Sequence, residues 1–163
     1  MKKVVIFGNS GSGKSTLAKV LCQSEGLKHL DLDCLAWQAV SPPERKPISE
    51  SWRDIEAFIS QNPNWVIEGC YSDLLELTIP FSSEIIFLDL PVDACITNAR
   101  NRLWEPHKYE SKEAQDINLN MLIDWIAQYP QRSDTFSRSS HQTLFDGYRG
   151  MKKIYTENIR QEE

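Results

Sequence analysis

Nowhere does this sequence approach 18 consecutive apolar residues, the run that would signal a membrane-spanning helix. An excess of positive charge is missing too. Twenty-three acidic residues outweigh 18 basic ones for a net charge of −5, a balance that disfavours nucleic acid or an anionic membrane as partner. Cysteine is sparse and scattered: Cys22, Cys34, Cys70 and Cys95 include no C-x-x-C pair. That excludes the usual zinc and disulfide frameworks and leaves reduced thiols in a cytoplasmic protein as the expectation. No internal repeat, low-complexity tract or leader is expected, since the first apolar run starts about three residues in. What remains is a single domain over 1–163, long enough to bury roughly 70% of its unfolded surface.

Glycine is scarce as well, seven residues in all, yet three of them crowd into positions 8, 11 and 13. Before them Val4, Val5, Ile6 and Phe7 form a β-branched apolar run that predicts a buried strand. After them Leu17, Ala18, Val20 and Leu21 recur at helical spacing. Between lies Gly8-Asn9-Ser10-Gly11-Ser12-Gly13-Lys14-Ser15, a full match to G-x-x-x-x-G-K-[ST] in its strand–loop–helix context. Glycines let successive N–H groups curl around phosphates, and the helix N-terminus adds its dipole. Residues Gly8, Asn9, Ser10, Gly11, Ser12, Gly13, Lys14, Ser15 and Thr16 are therefore the expected ATP site. Lys14 reaches the β- and γ-phosphates, and the Ser15 hydroxyl is a ligand for Mg²⁺.

The rest of the chain alternates strand and helix patterns, which predicts an α/β fold with a parallel sheet. "HLDLDCLAW" predicts a second strand whose alternation puts Asp31 and Asp33 on one face. "SPPERKP" is a loop, and "SESWRDIEAFISQ" an amphipathic helix capped by Ser49 or Ser51. Strands are expected in "NWVIEGCYS", "EIIFLDLP" and "KKIYT", the last followed by a short terminal helix. A helix from about Asp93 to Arg102 leads into the polar, charged "LWEPHKYESKEA", with the shape of a small lid over about 100–115. A longer helix then carries Ile117, Met121, Leu122, Trp125, Ile126 and Tyr129 on one stripe, and "SDTFSRSSHQTLFDGYRG" forms another.

Phosphate loop, D-x-D after the second strand, a W-R helix, a strand-end glycine and an LDLP strand occur in that order. The arrangement resembles the adenylate kinase-like superfamily, most of all its shikimate kinase-sized members. "WVIEGCYS", "FLDLP" and "YPQRSDTFSRSSHQTLFDGY" further resemble small bacterial P-loop proteins labelled variously AAA-family ATPases, adenylate kinases or topology-modulation proteins. The resemblance implies a three-layer P-loop fold with a five-stranded parallel sheet in the order 2-3-1-4-5. It implies an ATP- and Mg²⁺-dependent kinase acting on a small-molecule hydroxyl or phosphate acceptor, with an acceptor-side region over about 34–62.

Carried over residue by residue, the resemblance makes Asp31 a Mg²⁺ support and Asp33 the carboxylate that meets the acceptor hydroxyl. It makes Arg53 the grip on an anionic acceptor group, with Gly69 on the substrate side. Arg100 and Arg102 fall where such kinases keep nucleotide-stacking and lid arginines, Arg102 as a catalytic charge. Glu68 and Asp89 compete for the Walker-B role, Glu68 first because the equivalent strand in that class is the third. At Glu68-Gly69-Cys70-Tyr71-Ser72 the adenylate kinases carry D-G-[FY]-P-R, so the arginine that holds their monophosphate is missing here. Arg132 and Arg138 are second lid candidates, and Asp134/Arg138 and Ser137/His141 are i, i+4 surface pairs. His141 is expected to be structural, while Trp37 and Trp104 are the candidate binding aromatics. The other reading open to this sequence is a nucleotide-binding regulator or weak ATPase without a dedicated acceptor.

Overall fold

The computed structural model describes residues 1–40 and 42–158. Strand β1 (Lys3–Gly8) is the centre of the molecule, because every residue after Lys3 is apolar or glycine and is buried on both faces. It pairs in parallel with β3 (Trp65–Gly69) on one side and β4 (Glu84–Leu88) on the other. Beyond them β2 (Lys28–Asp31) and β5 (Met151–Tyr155) form the edges, which gives the order β2-β3-β1-β4-β5 that was expected. The parallel pairing needs crossovers, and helices supply them on both faces.

Alternate residues of each central strand feed different cores. Val5, Phe7, Ile67, Ile85 and Phe87 face α2 (Ile48–Gln61), α3 (Ser72–Thr78) and α6 (Arg138–Gly147). Val4, Ile6, Val66, Ile86 and Leu88 face α1 (Lys14–Glu25), α4 (Val92–Arg100) and α5 (Lys112–Ala127). Each fully buried side chain of this size contributes about 1.5–3 kcal/mol. Among the described residues no helix is long and apolar enough to cross a membrane.

Several elements differ from the sequence-based expectations. The second strand stops at Asp31, and Leu32–Cys34 form a 3₁₀ turn because the Asp31 carboxylate accepts the Asp33 N–H at 2.9 Å. Helix α2 is capped by neither serine: Pro47 precedes it, and Ser51 is buried with its hydroxyl donating to the Leu35 carbonyl at 2.8 Å. Helix α3 was not anticipated; its seven residues follow β3 directly and are held by Thr135, whose carbonyl accepts from Ser72 N–H and whose hydroxyl accepts from Asp73 N–H. Helix α4 ends at Arg100, two residues early. On α5, Ile117 and Met121 leave the expected stripe for solvent, while Leu119, Leu122 and Ile126 pack inward. Residues 156–158 are not helical, and the remainder of the expected terminal helix lies outside the described residues.

Candidate functional site

The phosphate loop joins the central strand to α1. At Gly11 (φ +77°) a Cβ would meet the Cys95 carbonyl oxygen at 2.4 Å, so only glycine lets the loop lie this close to α4. Asn98 on α4 donates to the Gly11 carbonyl at 2.8 Å and to the Asn158 amide oxygen at 2.8 Å. Asn158 in turn donates to the Ser12 carbonyl at 3.0 Å. This brace was not legible in the sequence, since its partners lie 87 and 146 residues from the loop. No side chain caps α1, so its first amides are left to a ligand. Among the described residues Lys14 forms no ion pair; its ammonium donates to the carbonyls of Asn9 (2.7 Å) and Gly8 (3.3 Å).

Ser15 Oγ donates to Glu68 Oε1 at 2.8 Å, and His29 Nε2 lies 3.3 Å from the same oxygen. Glu68 is buried at the end of β3, one strand from the loop. Asp89, its rival from the sequence, is instead held by both nitrogens of the Arg138 fork at 2.9 and 2.7 Å. A hydroxyl, a buried carboxylate and nearby Asp31 are hard oxygen donors of the kind Mg²⁺ prefers. Among the described residues no three His, Cys, Asp or Glu side chains enclose a metal by themselves, so the ion would be shared with nucleotide phosphates.

Asp31 and Asp33 converge although they do not share a strand. Lys108, from the loop between α4 and α5, places its ammonium 2.7 Å from Asp33 Oδ2, 3.4 Å from Asp31 Oδ2 and 3.5 Å from Glu105 Oε2. The Tyr71 hydroxyl donates to Asp33 Oδ1, and the Trp37 indole N–H donates to the Tyr71 oxygen at 2.8 Å. Burial, then Glu68 and Asp33, push the Asp31 carboxyl up to about 6. Burial works the same way on Asp33, but Lys108 and the Tyr71 hydroxyl overcome it and hold that carboxyl below its ordinary value. Burial would lower Lys108, yet Asp33 and Asp31 raise it well above an ordinary lysine.

The loop between α4 and α5, the expected lid, is short and tied down. Arg102 Nε lies 3.2 Å from Glu105 Oε1, and Gln115 on α5 bonds both the Leu103 carbonyl and the Glu105 N–H. Arg102, Trp104 and Lys108 line one cleft of about 660 Å³ together with Lys14, Ser15, Asp31, Asp33, Glu68 and Gly69. Arg100 and Arg53 do not line it; both are exposed on their helices. Arg45 does not line it either; it is bound to both oxygens of Asp73 at 3.0 and 3.2 Å and lies 4.7 Å from the centre of the Tyr71 ring. The expected Asp134–Arg138 pair is absent among the described contacts: Asp134 takes Arg132, which stacks 3.5 Å over Trp125. His141 is fully buried between the Tyr129 hydroxyl (2.6 Å) and the Cys70 carbonyl (2.8 Å). All four cysteines are free thiols; Cys34 is exposed and Cys95 buried.

Sequence reasoning missed Lys108, Tyr71 and Arg45. "EPHKYES" showed a charged lid, but only folding brings its lysine to a carboxylate 75 residues away.

A glycine loop folded onto an uncapped helix, at the end of the central strand of a 2-3-1-4-5 parallel sheet, defines the P-loop nucleotide-binding fold. Among solved structures the chain is similar to TT1252 from Thermus thermophilus, at 15% identity over 94% of this chain and 87% of that one, with a TM-score of 0.54. It is also similar to deoxyadenosine kinase from M. mycoides with bound dATP, at 11% identity over 94% and 90%, TM-score 0.47. A shikimate kinase from Bacteroides thetaiotaomicron aligns at 17% identity over 89% and 97%, TM-score 0.46. At such identities the likeness is one of fold. The chain matches no protein-family model and no curated protein sequence.

Proposed function

We propose that this protein is an ATP-dependent phosphotransferase that moves the γ-phosphoryl of ATP to a small-molecule acceptor. One observation carries the reading: a phosphate loop whose lysine meets only backbone carbonyls among the described residues opens into the same cleft as Asp33, a carboxylate with one oxygen bonded to Lys108. A protein that only binds nucleotide has no use for the second half of that cleft.

The loop amides and Lys14 would hold the β- and γ-phosphates, and Ser15, Glu68 and Asp31 would hold Mg²⁺. Mg²⁺ supplies charge neutralisation between the phosphates when bound. Trp37 and Tyr71 fix Asp33 Oδ1, and with Lys108 displaced from Oδ2 that oxygen would orient an acceptor hydroxyl and take its proton. Arg102, which lines the cleft, would meet charge developing on the transferring group.

Radiolabelled ATP, a metabolite panel and an acceptor-free control test the proposal on the wild type and Asp33→Asn. Transfer should fall by roughly 10²–10⁴-fold in Asp33→Asn while ATP affinity holds and basal hydrolysis falls far less. The alternative, a nucleotide switch or weak ATPase, draws support from Lys108, which already occupies the Asp33 oxygen an acceptor needs. Hydrolysis without transfer to any acceptor, unchanged in Asp33→Asn, is the result that favours it.

A further inference from the structure

Two asparagines that take no part in the transfer step hold the phosphate loop in shape. Resting on the nucleotide half of the transferase reading, we propose that Asn98 and Asn158 are positioning residues that act in series. They fix two peptide planes of the loop, so that the Gly13 amide is aimed before a triphosphate arrives.

In a trans peptide the C=O and the following N–H point in opposite directions. Whatever grips a loop carbonyl therefore aims the next amide. Asn98 donates to the Gly11 carbonyl at 2.8 Å, which turns the Ser12 N–H away from α4, where it donates to the Asn9 carbonyl at 3.2 Å. Asn158 donates to the Ser12 carbonyl at 3.0 Å and so aims the Gly13 N–H. That amide has no hydrogen-bond partner among the described residues, and it directly precedes the uncapped first turn of α1.

The two side chains are linked. Asn98 commits both amide hydrogens, one to Gly11 and one to the Asn158 amide oxygen at 2.8 Å. It keeps only an acceptor oxygen, which a phosphate cannot use, so it acts through the loop. Asn158 is exposed, three residues beyond β5, and Asn98 is the one side chain among the described residues that holds its amide oxygen. Removing Asn98 frees the Asn158 amide to turn away from Ser12.

The close seating of the loop is an independent observation. At Gly13 (φ +91°) a Cβ would stand 2.6 Å from Asn158 Nδ2. At Gly11 a Cβ would stand 2.4 Å from the carbonyl oxygen of Cys95, three residues before Asn98 and on the same face of α4. Glycine is thus required at the two places where the loop meets these supports. A loop ordered in advance loses less conformational entropy when the ligand binds.

Calorimetric titration of the full chain with ATP and Mg²⁺, and separately with inorganic triphosphate and Mg²⁺, tests this in the wild type, Asn98→Ala, Asn158→Ala and the double variant. Tm without ligand is recorded for each. Either single substitution should weaken both ligands by about tenfold, the scale of one neutral hydrogen bond. The double variant should be no more than about twofold weaker than the worse single, because residues in series do not add. Asn98→Leu, which keeps the volume and removes both hydrogens, should show the same loss as Asn98→Ala. A lower Tm with unchanged Kd in the folded variants, or losses that multiply in the double variant, overturns the inference. So does a loss confined to ATP, which would mean direct contact with the nucleoside. All three leave the transferase reading standing. A wild type that binds neither ligand overturns that reading and this inference together.

Discussion

Burial disarms His141 as a proton carrier. The Cys70 carbonyl can only accept, so Nε2 carries the hydrogen and Nδ1 accepts from Tyr129. Burial holds this imidazole down at about 4, far below its ordinary 6.5. Between those values the unfolded chain binds a proton that the folded chain refuses, so the contribution is complete above pH 6.5 and lost as pH falls toward 4. Asp31, raised to about 6, acts in the opposite direction, because the folded chain binds its proton first. Urea unfolding of the wild type and His141→Gln at pH 7 and pH 4.5 isolates the histidine. The wild type should lose on the order of 2–3 kcal/mol more than the variant over that interval. On the proposed reading Lys14 is the residue on which nucleotide chemistry depends. Lys14→Ala removes one charge donor from the transferring phosphate and should lower turnover by roughly 10²–10³-fold with the fold intact. Near-normal turnover in a folded Lys14→Ala protein would sink both the kinase and the ATPase readings.

Among the elements, the 3₁₀ turn Leu32–Cys34 sets the site most directly. It takes Asp33 off the strand, and the Asp31 carboxylate pins the Asp33 amide. Leu32, fully buried, anchors the turn against Gly69, where a Cβ would stand 2.9 Å from both Leu32 Cβ and Leu32 Cδ1. Leu32 Cβ cannot yield without moving the turn, so Gly69→Ala should cost about 1–3 kcal/mol by overpacking. Denaturant unfolding measures that cost, and a transfer assay should show a loss beyond it because Asp33 moves with the turn. Gly69 was expected on the substrate side from its position; its packing against Leu32 is a separate reason for glycine there. The lid is the other element that matters. Its polar composition was evident in the sequence, but the Lys108–Asp33 pair closes a separation of 75 residues and depends on where the loop lands.

At the scale of the whole molecule, the proposed nucleotide binding would be linked to folding. A ligand that binds only the folded chain stabilises it by about 2.7 kcal/mol at 100 times its Kd. ATP with Mg²⁺ should therefore raise the unfolding midpoint of the wild type in a concentration-dependent way, and much less that of Lys14→Ala. A midpoint that does not respond to nucleotide would remove ATP from the account. The sequence by itself determined the phosphate loop, the α/β alternation and the parallel sheet. Those features are written in contiguous residues, where glycine spacing, apolar runs and helical periods act over a few bonds. Only the tertiary structure decided that Glu68 meets Ser15 while Asp89 meets Arg138, that Arg45 lies over Tyr71 while Arg53 is exposed, and that Lys108 covers Asp33. Charged side chains have many partners of suitable chemistry along a chain. Which pair forms is set by the packing of the sheet, the turn after β2 and the lid, and no local spacing encodes it.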